Sequence, residues 1–131
     1  MRLADLEPHF VRHSRRVETW QRMRADKFIE EVTGPRDFLT HVQTLAVAQG
    51  VFFLCPKCFA ANNGPVGTHG LYVFFSGCGV PEDFSLNREK QPVRLEVSGG
   101  GLEDLTLAPS ILIQGGCGWH GFVRNGQIVQ A

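Results

Sequence analysis

This sequence has no surplus of charge of either sign. Thirteen Lys and Arg residues face thirteen Asp and Glu residues, so no bulk basic field is available to hold a nucleic acid or an anionic membrane surface. The nearest basic cluster, Arg12, His13, Arg15 and Arg16, reads as a solvated edge. No apolar run reaches the length of a membrane span. The opening Met1-Arg2-Leu3-Ala4-Asp5-Leu6-Glu7 is charged and lacks the apolar core of a secretory signal. The expectation is a soluble protein of a reducing cytoplasm, where four cysteines argue for metal or free thiols before disulfides. Internal repeats and low-complexity tracts are absent. So are the G-x-S-x-G elbow, the HExxH helix and the phosphate-binding glycine loop; Ser98 to Gly101 is glycine-rich but lacks the lysine and the following helix.

What is present is a chain of 131 residues with 43% apolar and 20% charged side chains. That size and composition predict one globular domain over residues 1–131. The β-branched and aromatic segment Val17–Met23 predicts a strand. Ala25, Phe28, Ile29 and Val32 recur at helical spacing before Gly34-Pro35, which allows a short helix. Thr40 with Gln43 has the form of a capping box, and Gly50 stands where a helix would end, so a helix is predicted over 41–49. Strands are predicted at Val51–Leu54, Leu71–Phe75, 92–97 and Ile111–Ile113. A loop is expected over 59–70 and little regular structure over 76–91. Asn125-Gly126 between Phe122-Val123-Arg124 and Gln127-Ile128-Val129 predicts a hairpin with a type I′ turn. The predicted fold is mostly β (α+β): a small antiparallel sheet, one or two short helices in the N-terminal half, and a C-terminal β-hairpin.

Chemistry concentrates in Cys55-Pro56-Lys57-Cys58 and Cys117-Gly118-Trp119-His120. Each places two soft ligands three positions apart after a strand-like run. Thiolate and imidazole in such tight turns suit tetrahedral zinc, so Cys55, Cys58, Cys117 and His120 are the predicted ligands of one Zn2+ site with zinc-ribbon-like knuckles. Four protein ligands close the coordination sphere, and a closed site stabilises a fold without activating a water. Three alternatives stand beside this. Cys55 and Cys58 suit a redox pair. His69 is a substitute for His120 or a ligand of a second site. Ser110, with His69 as base and Asp104 to orient it, has the residue types of a hydrolytic triad.

Longer stretches carry a resemblance. Cys55-Pro-Lys-Cys-Phe-Ala-Ala-Asn62, Gly64-Pro-Val-Gly-Thr-His69, Leu102 to Ile111 with its Leu-Thr-Leu and Pro-Ser-Ile, and Cys117-Gly-Trp-His-Gly-Phe-Val123 are similar to a family of small CxxC/CxxH zinc-binding proteins. Its members occur in tailed phages and prophages, with distant ones near bacterial ubiquitin-like conjugation operons, and some carry the label ammonia monooxygenase. No membrane segment or copper-site pattern supports that label. The resemblance places the family's paired ligands on Cys55, Cys58, Cys117 and His120, and its Thr-His and Pro-Ser-Ile segments on His69 and Ser110. It implies a zinc-stabilised module that works through protein contacts in a virion or on a host protein, in the host cytoplasm or the particle, with homo-oligomers allowed. The rival it leaves is a small hydrolase, a peptidase of a ubiquitin-like tail using Ser110 and His69 or an open zinc. A nucleic-acid-binding ribbon has only Lys57, Phe59 and Trp119 behind it.

Overall fold

The computed structural model describes residues 1–84, 94–113 and 116–131. Strands β1 (His9–Met23), β2 (Ile29–Val42), β3 (Gly50–Leu54), β4 (Gly70–Phe75), β5 (Arg94–Ser98), β6 (Thr106–Leu112), β7 (His120–Arg124) and β8 (Gln127–Gln130) form one sheet in the order β2-β1-β3-β4-β5-β6-β7-β8. Neighbours are antiparallel except β4 and β5, which run parallel. The fold is mostly β, as expected, but the sheet is mixed. Parallel neighbours need a crossover between them. The start of the predicted strand at 92–97 and part of the irregular stretch lie outside the described residues, as do Gln114 and Gly115.

Of the helices predicted in the first half, the one after Ala25 is replaced by strand and the one over 41–49 is reduced to a 3-10 turn. Met23 and Ile29 close a turn in which the Arg24 N–H donates to the Phe28 carbonyl at 2.7 Å. From there β2 runs antiparallel to β1 through every pair from Met23↔Ile29 to Phe10↔Val42. The 25–32 periodicity and the Thr40/Gln43 pattern therefore yield to pairing: β-branched Ile29, Val32 and Thr33 fit a pleated ladder better than a short helix. Only a 3-10 turn, Leu45–Val47, remains of the 41–49 helix, and Gly50 opens β3 instead of capping a helix. Conversely, the start of the expected 59–70 loop is helical. Helix α1 (Pro56–Asn62) has Pro at its first position and Asn63 in the left-handed conformation at its end, φ 54°.

The main core lies where the sheet wraps over the opening 3-10 turn Leu3–Leu6. Leu3, Leu6, Val51, Phe53, Leu105, Leu107 and Val123 are almost or wholly inaccessible. The chain start also covers the far sheet edge: the Leu3 N–H donates to the Gly126 carbonyl, and the Ile128 N–H donates to Met1. The C-terminal hairpin is as predicted. Arg124 pairs with Gln127, and Asn125 (φ 49°) and Gly126 (φ 73°) both take positive φ. Only glycine fits at 126, because a Cβ there would collide with the Glu103 carbonyl.

Candidate functional site

Antiparallel pairing of β3 with β4 builds the first half of a metal site. Leu54 opposes Gly70, and the ladder continues one step further, with the Cys55 N–H donating to the His69 carbonyl at 2.9 Å. Cys55 then caps α1 and Cys58 lies on that helix's first turn. Cys117 comes from the loop before β7. Its carbonyl accepts from Lys57 Nζ at 2.7 Å, which ties the two knuckles together.

Cys55, Cys58, His69 and Cys117 each offer one ligand atom, and these atoms all lie within 4.8 Å of one another. Cys55 Sγ is 3.6 Å from Cys117 Sγ, and Cys117 Sγ is 3.4 Å from His69 Nε2. Tetrahedral ligands about 2.0–2.3 Å from one ion stand roughly 3.5–4 Å apart, so the set fits a single metal ion. Burial raises the Cys55 thiol to about 11. Burial also pushes Cys117 upward, but the Trp119 backbone N–H, His69 and the neighbouring cysteines outweigh it and bring Cys117 down to about 7. One sulfur is thus readily ionised, and a metal ion displaces the proton of the other. The four cysteines are free thiols. Although Cys55-x-x-Cys58 does open a helix after a strand, it stands grouped with His69 and Cys117 and not as an isolated pair.

His120 is not in this group. Where His120 was expected, the fourth member of the cluster is His69, the weighed alternative. The reason is register: β7 pairs Leu112 with His120, which places the His120 ring on the outer face of the sheet, three residues beyond the turn that carries Cys117. There it meets Ser110, with Ser110 Oγ and His120 Nε2 3.0 Å apart. Ser110 sits in an irregularity of the β6–β7 ladder. Between the pairs Leu107↔Val123 and Ile111↔Gly121, β6 carries Ala108-Pro109-Ser110 against the single Phe122. A bulge of this kind re-aims a side chain out of the regular ladder. The pair is therefore a hydroxyl and an imidazole at hydrogen-bond distance on an accessible surface, the geometry of a base-activated nucleophile.

Apolar side chains surround it. Leu112 is 54% and Val129 36% exposed, and Phe122 lies 6.4 Å from the His120 ring with Arg124 stacked over it at 4.0 Å. His120 also lines a cleft of about 520 Å³, together with Pro56, Lys57, Trp119 and Ala131. Asp104 does not orient either histidine. Its carboxylate accepts from the Gly100 and Gly101 N–H groups, which hold it below the usual carboxylate range. Among the described residues no carboxylate lies within ion-pair distance of His120. Cys78 stays apart from the metal group, and its carbonyl accepts from Gln49. His13 pairs with Asp37, and His9 stacks on His41.

Residues 65–131 match the family described as bacterial ubiquitination-like system serine protease (BubE). That is 67 of 131 residues. The chain belongs to the BubE family. The match contains His69, Ser110, Cys117 and His120, and it excludes Cys55, Cys58 and the whole β1–β2 hairpin. No curated protein and no solved structure matches the chain. Nothing found supports the virion or phage-structural expectation, whereas the hydrolase alternative has both the family and the Ser110–His120 contact behind it. The histidine that meets Ser110 is His120, not His69.

The sequence held one signal for exchanging the two histidines. Cys55 follows one strand and His69 precedes the next, so antiparallel pairing of those strands brings the two residues together. The Ser110–His120 contact had no such signal, because it depends on the bulge.

Proposed function

We propose that this chain is a serine peptidase of a bacterial ubiquitination-like system, with Ser110 as nucleophile and His120 as general base. The 3.0 Å contact between Ser110 Oγ and His120 Nε2 carries the reading. In the proposed cycle His120 takes the Ser110 proton as Oγ attacks a peptide carbonyl. It returns that proton to the departing amine, leaving an acyl-Ser110 ester. Water, deprotonated by the same imidazole, then hydrolyses the ester and regenerates Ser110. The exposed position of the pair suits a protein substrate whose cleavable segment is extended and accessible. Leu112, Phe122 and Val129 supply apolar surface on which such a segment packs.

In this reading the cluster of Cys55, Cys58, His69 and Cys117 holds zinc as a clamp. Three thiolates and one imidazole are a closed structural set. The clamp fixes the loop from which β7 starts, and so fixes His120. No catalytic step passes through the ion.

The test is cleavage of a ubiquitin-like protein carrying a C-terminal extension, followed by mass spectrometry. Ser110→Ala should lower the rate on the order of 10³-fold or more, and His120→Ala on the order of 10²–10⁴-fold, both with the wild-type melting temperature. Cleavage that survives Ser110→Ala removes the proposal.

A further inference from the structure

The hairpin of β1 and β2 lies outside the matched residues 65–131. β1 pairs with β3 only through His9, Phe10 and Val11. Beyond Arg16 the two strands pair only with each other among the described residues, forming an arm. Opposed residues share a face. One face of this arm carries Ser14/Phe38, Arg16/Arg36, Glu18/Gly34, Trp20/Val32 and Arg22/Glu30.

The pair Arg16/Arg36 is anomalous. Like charges directly opposite each other on a sheet are destabilising. Here both guanidinium groups are set on aromatic rings. Arg16 lies 4.0 Å over Phe38, and Arg36 lies 4.9 Å from Trp20 and 5.9 Å from Phe38. Stacking uses the flat faces of the guanidinium groups and leaves their N–H edges free to donate. Other arginines of the arm are engaged: Arg12 with the Val47 carbonyl, Arg15 with Asp37 and Asp83, Arg22 with Glu30, Arg24 with Asp26. Arg16 has only a 3.7 Å contact with Glu18, and Arg36 has no carboxylate within 4.0 Å among the described residues. The arrangement accepts a repulsion and holds two oriented forks side by side.

We propose that the Arg16–Arg36 face of the arm is a docking site for an acidic segment of a partner protein. The two guanidinium forks, Arg16 held only by its 3.7 Å contact with Glu18, match carboxylates in bidentate geometry. A nucleic acid needs more phosphate contacts than two forks provide, and the chain has no net positive charge to supply them. The arm's outer edge is a poor template for strand addition, since Pro35 interrupts its donors. This inference does not depend on the protease reading.

The experiment is fluorescence anisotropy of a labelled peptide of alternating Glu and Ser, titrated with the full-length chain, and with Arg16→Gln/Arg36→Gln. A peptide with Gln in place of Glu and a single-stranded oligodeoxynucleotide are run in parallel. The Glu peptide should bind, with an affinity that falls as salt rises. The double variant should bind it at least about tenfold more weakly, with its melting temperature unchanged or raised by relief of the repulsion. The proposal is overturned if the Glu peptide does not bind, or if it binds no better than the Gln peptide. It is overturned equally if the double variant retains wild-type affinity, or if the oligonucleotide is the tighter ligand. A double variant that melts markedly lower assigns the pair to holding the arm together and also overturns it.

Discussion

In the proposed reading two histidines divide two tasks, and the division is open to direct measurement. His69 stands with Cys55, Cys58 and Cys117, and His120 stands with Ser110. Metal content should therefore tell the two substitutions apart. His69→Ala should lose most of the bound metal, because three thiolates alone leave one tetrahedral position unfilled. His120→Ala should keep the full complement and lose cleavage. Elemental analysis of the two purified variants separates the roles, and metal loss in His120→Ala would return that residue to the ligand set. The residue types and their spacing were legible in the sequence to this depth. Cys55, Cys58 and Cys117 are brought together as their paired spacing suggests, whereas CxxH spacing around His120 misled. A histidine three residues from a cysteine can share an ion with it only if the backbone turns them to one side. Here β7 begins at His120 and turns its ring outward.

Among the elements, the β1–β2 arm was the least legible. Its second strand contains Gly34-Pro35 and a helix-like periodicity, and long-range pairing decided against both. Pro35 is tolerated because β2 is an edge strand. The terminal hairpin was the most legible, since Asn125-Gly126 specifies its turn within four residues. The root of the arm is held by a polar network. His13 and Asp37 are 2.6 Å apart, Arg15 bridges Asp37 and Asp83, and the His13 N–H donates to Gln49 Oε1 at 2.8 Å. Burial raises the Asp37 carboxyl, but Arg15 and His13 outweigh it and hold it below its ordinary value. A carboxylate with a lowered folded-state pKa contributes stability that is complete above its unfolded value of about 3.9 and is lost as the pH falls through the folded value. Asp37→Asn should therefore loosen the arm at neutral pH and matter little in strong acid. Amide hydrogen exchange should quicken in residues 9–23 and 29–42 by about tenfold at pH 7 while the core strands β3 and β7 change little.

For the molecule as a whole, the Cys/His cluster joins the middle of the chain to its C-terminal strands. Helix α1 supplies Cys58, the step before β4 supplies His69, and the loop before β7 supplies Cys117. Trp119 next to that loop is 4% exposed and meets the Phe53 ring edge-on at 6.4 Å, so the cluster and the main core are continuous. Structural zinc binding amounts to roughly 10 kcal/mol or more in small peptides, comparable to the entire stability of an ordinary domain. Chelation should lower the melting temperature sharply, shift the Trp119 emission to the red and abolish cleavage together, and re-addition of zinc should restore all three. Loss of cleavage with the fold intact would instead assign the ion a part in the chemistry.

The central claim is that Ser110 is a nucleophile activated by His120, and covalent labelling tests it most directly. A fluorophosphonate reacts with an activated serine hydroxyl and not with an ordinary one. Incubation of the metal-loaded chain, followed by peptide mass mapping, should place one adduct on Ser110. The adduct should form at least about a hundredfold more slowly in His120→Ala. An unlabelled Ser110, or labelling at the same rate without His120, would contradict the account.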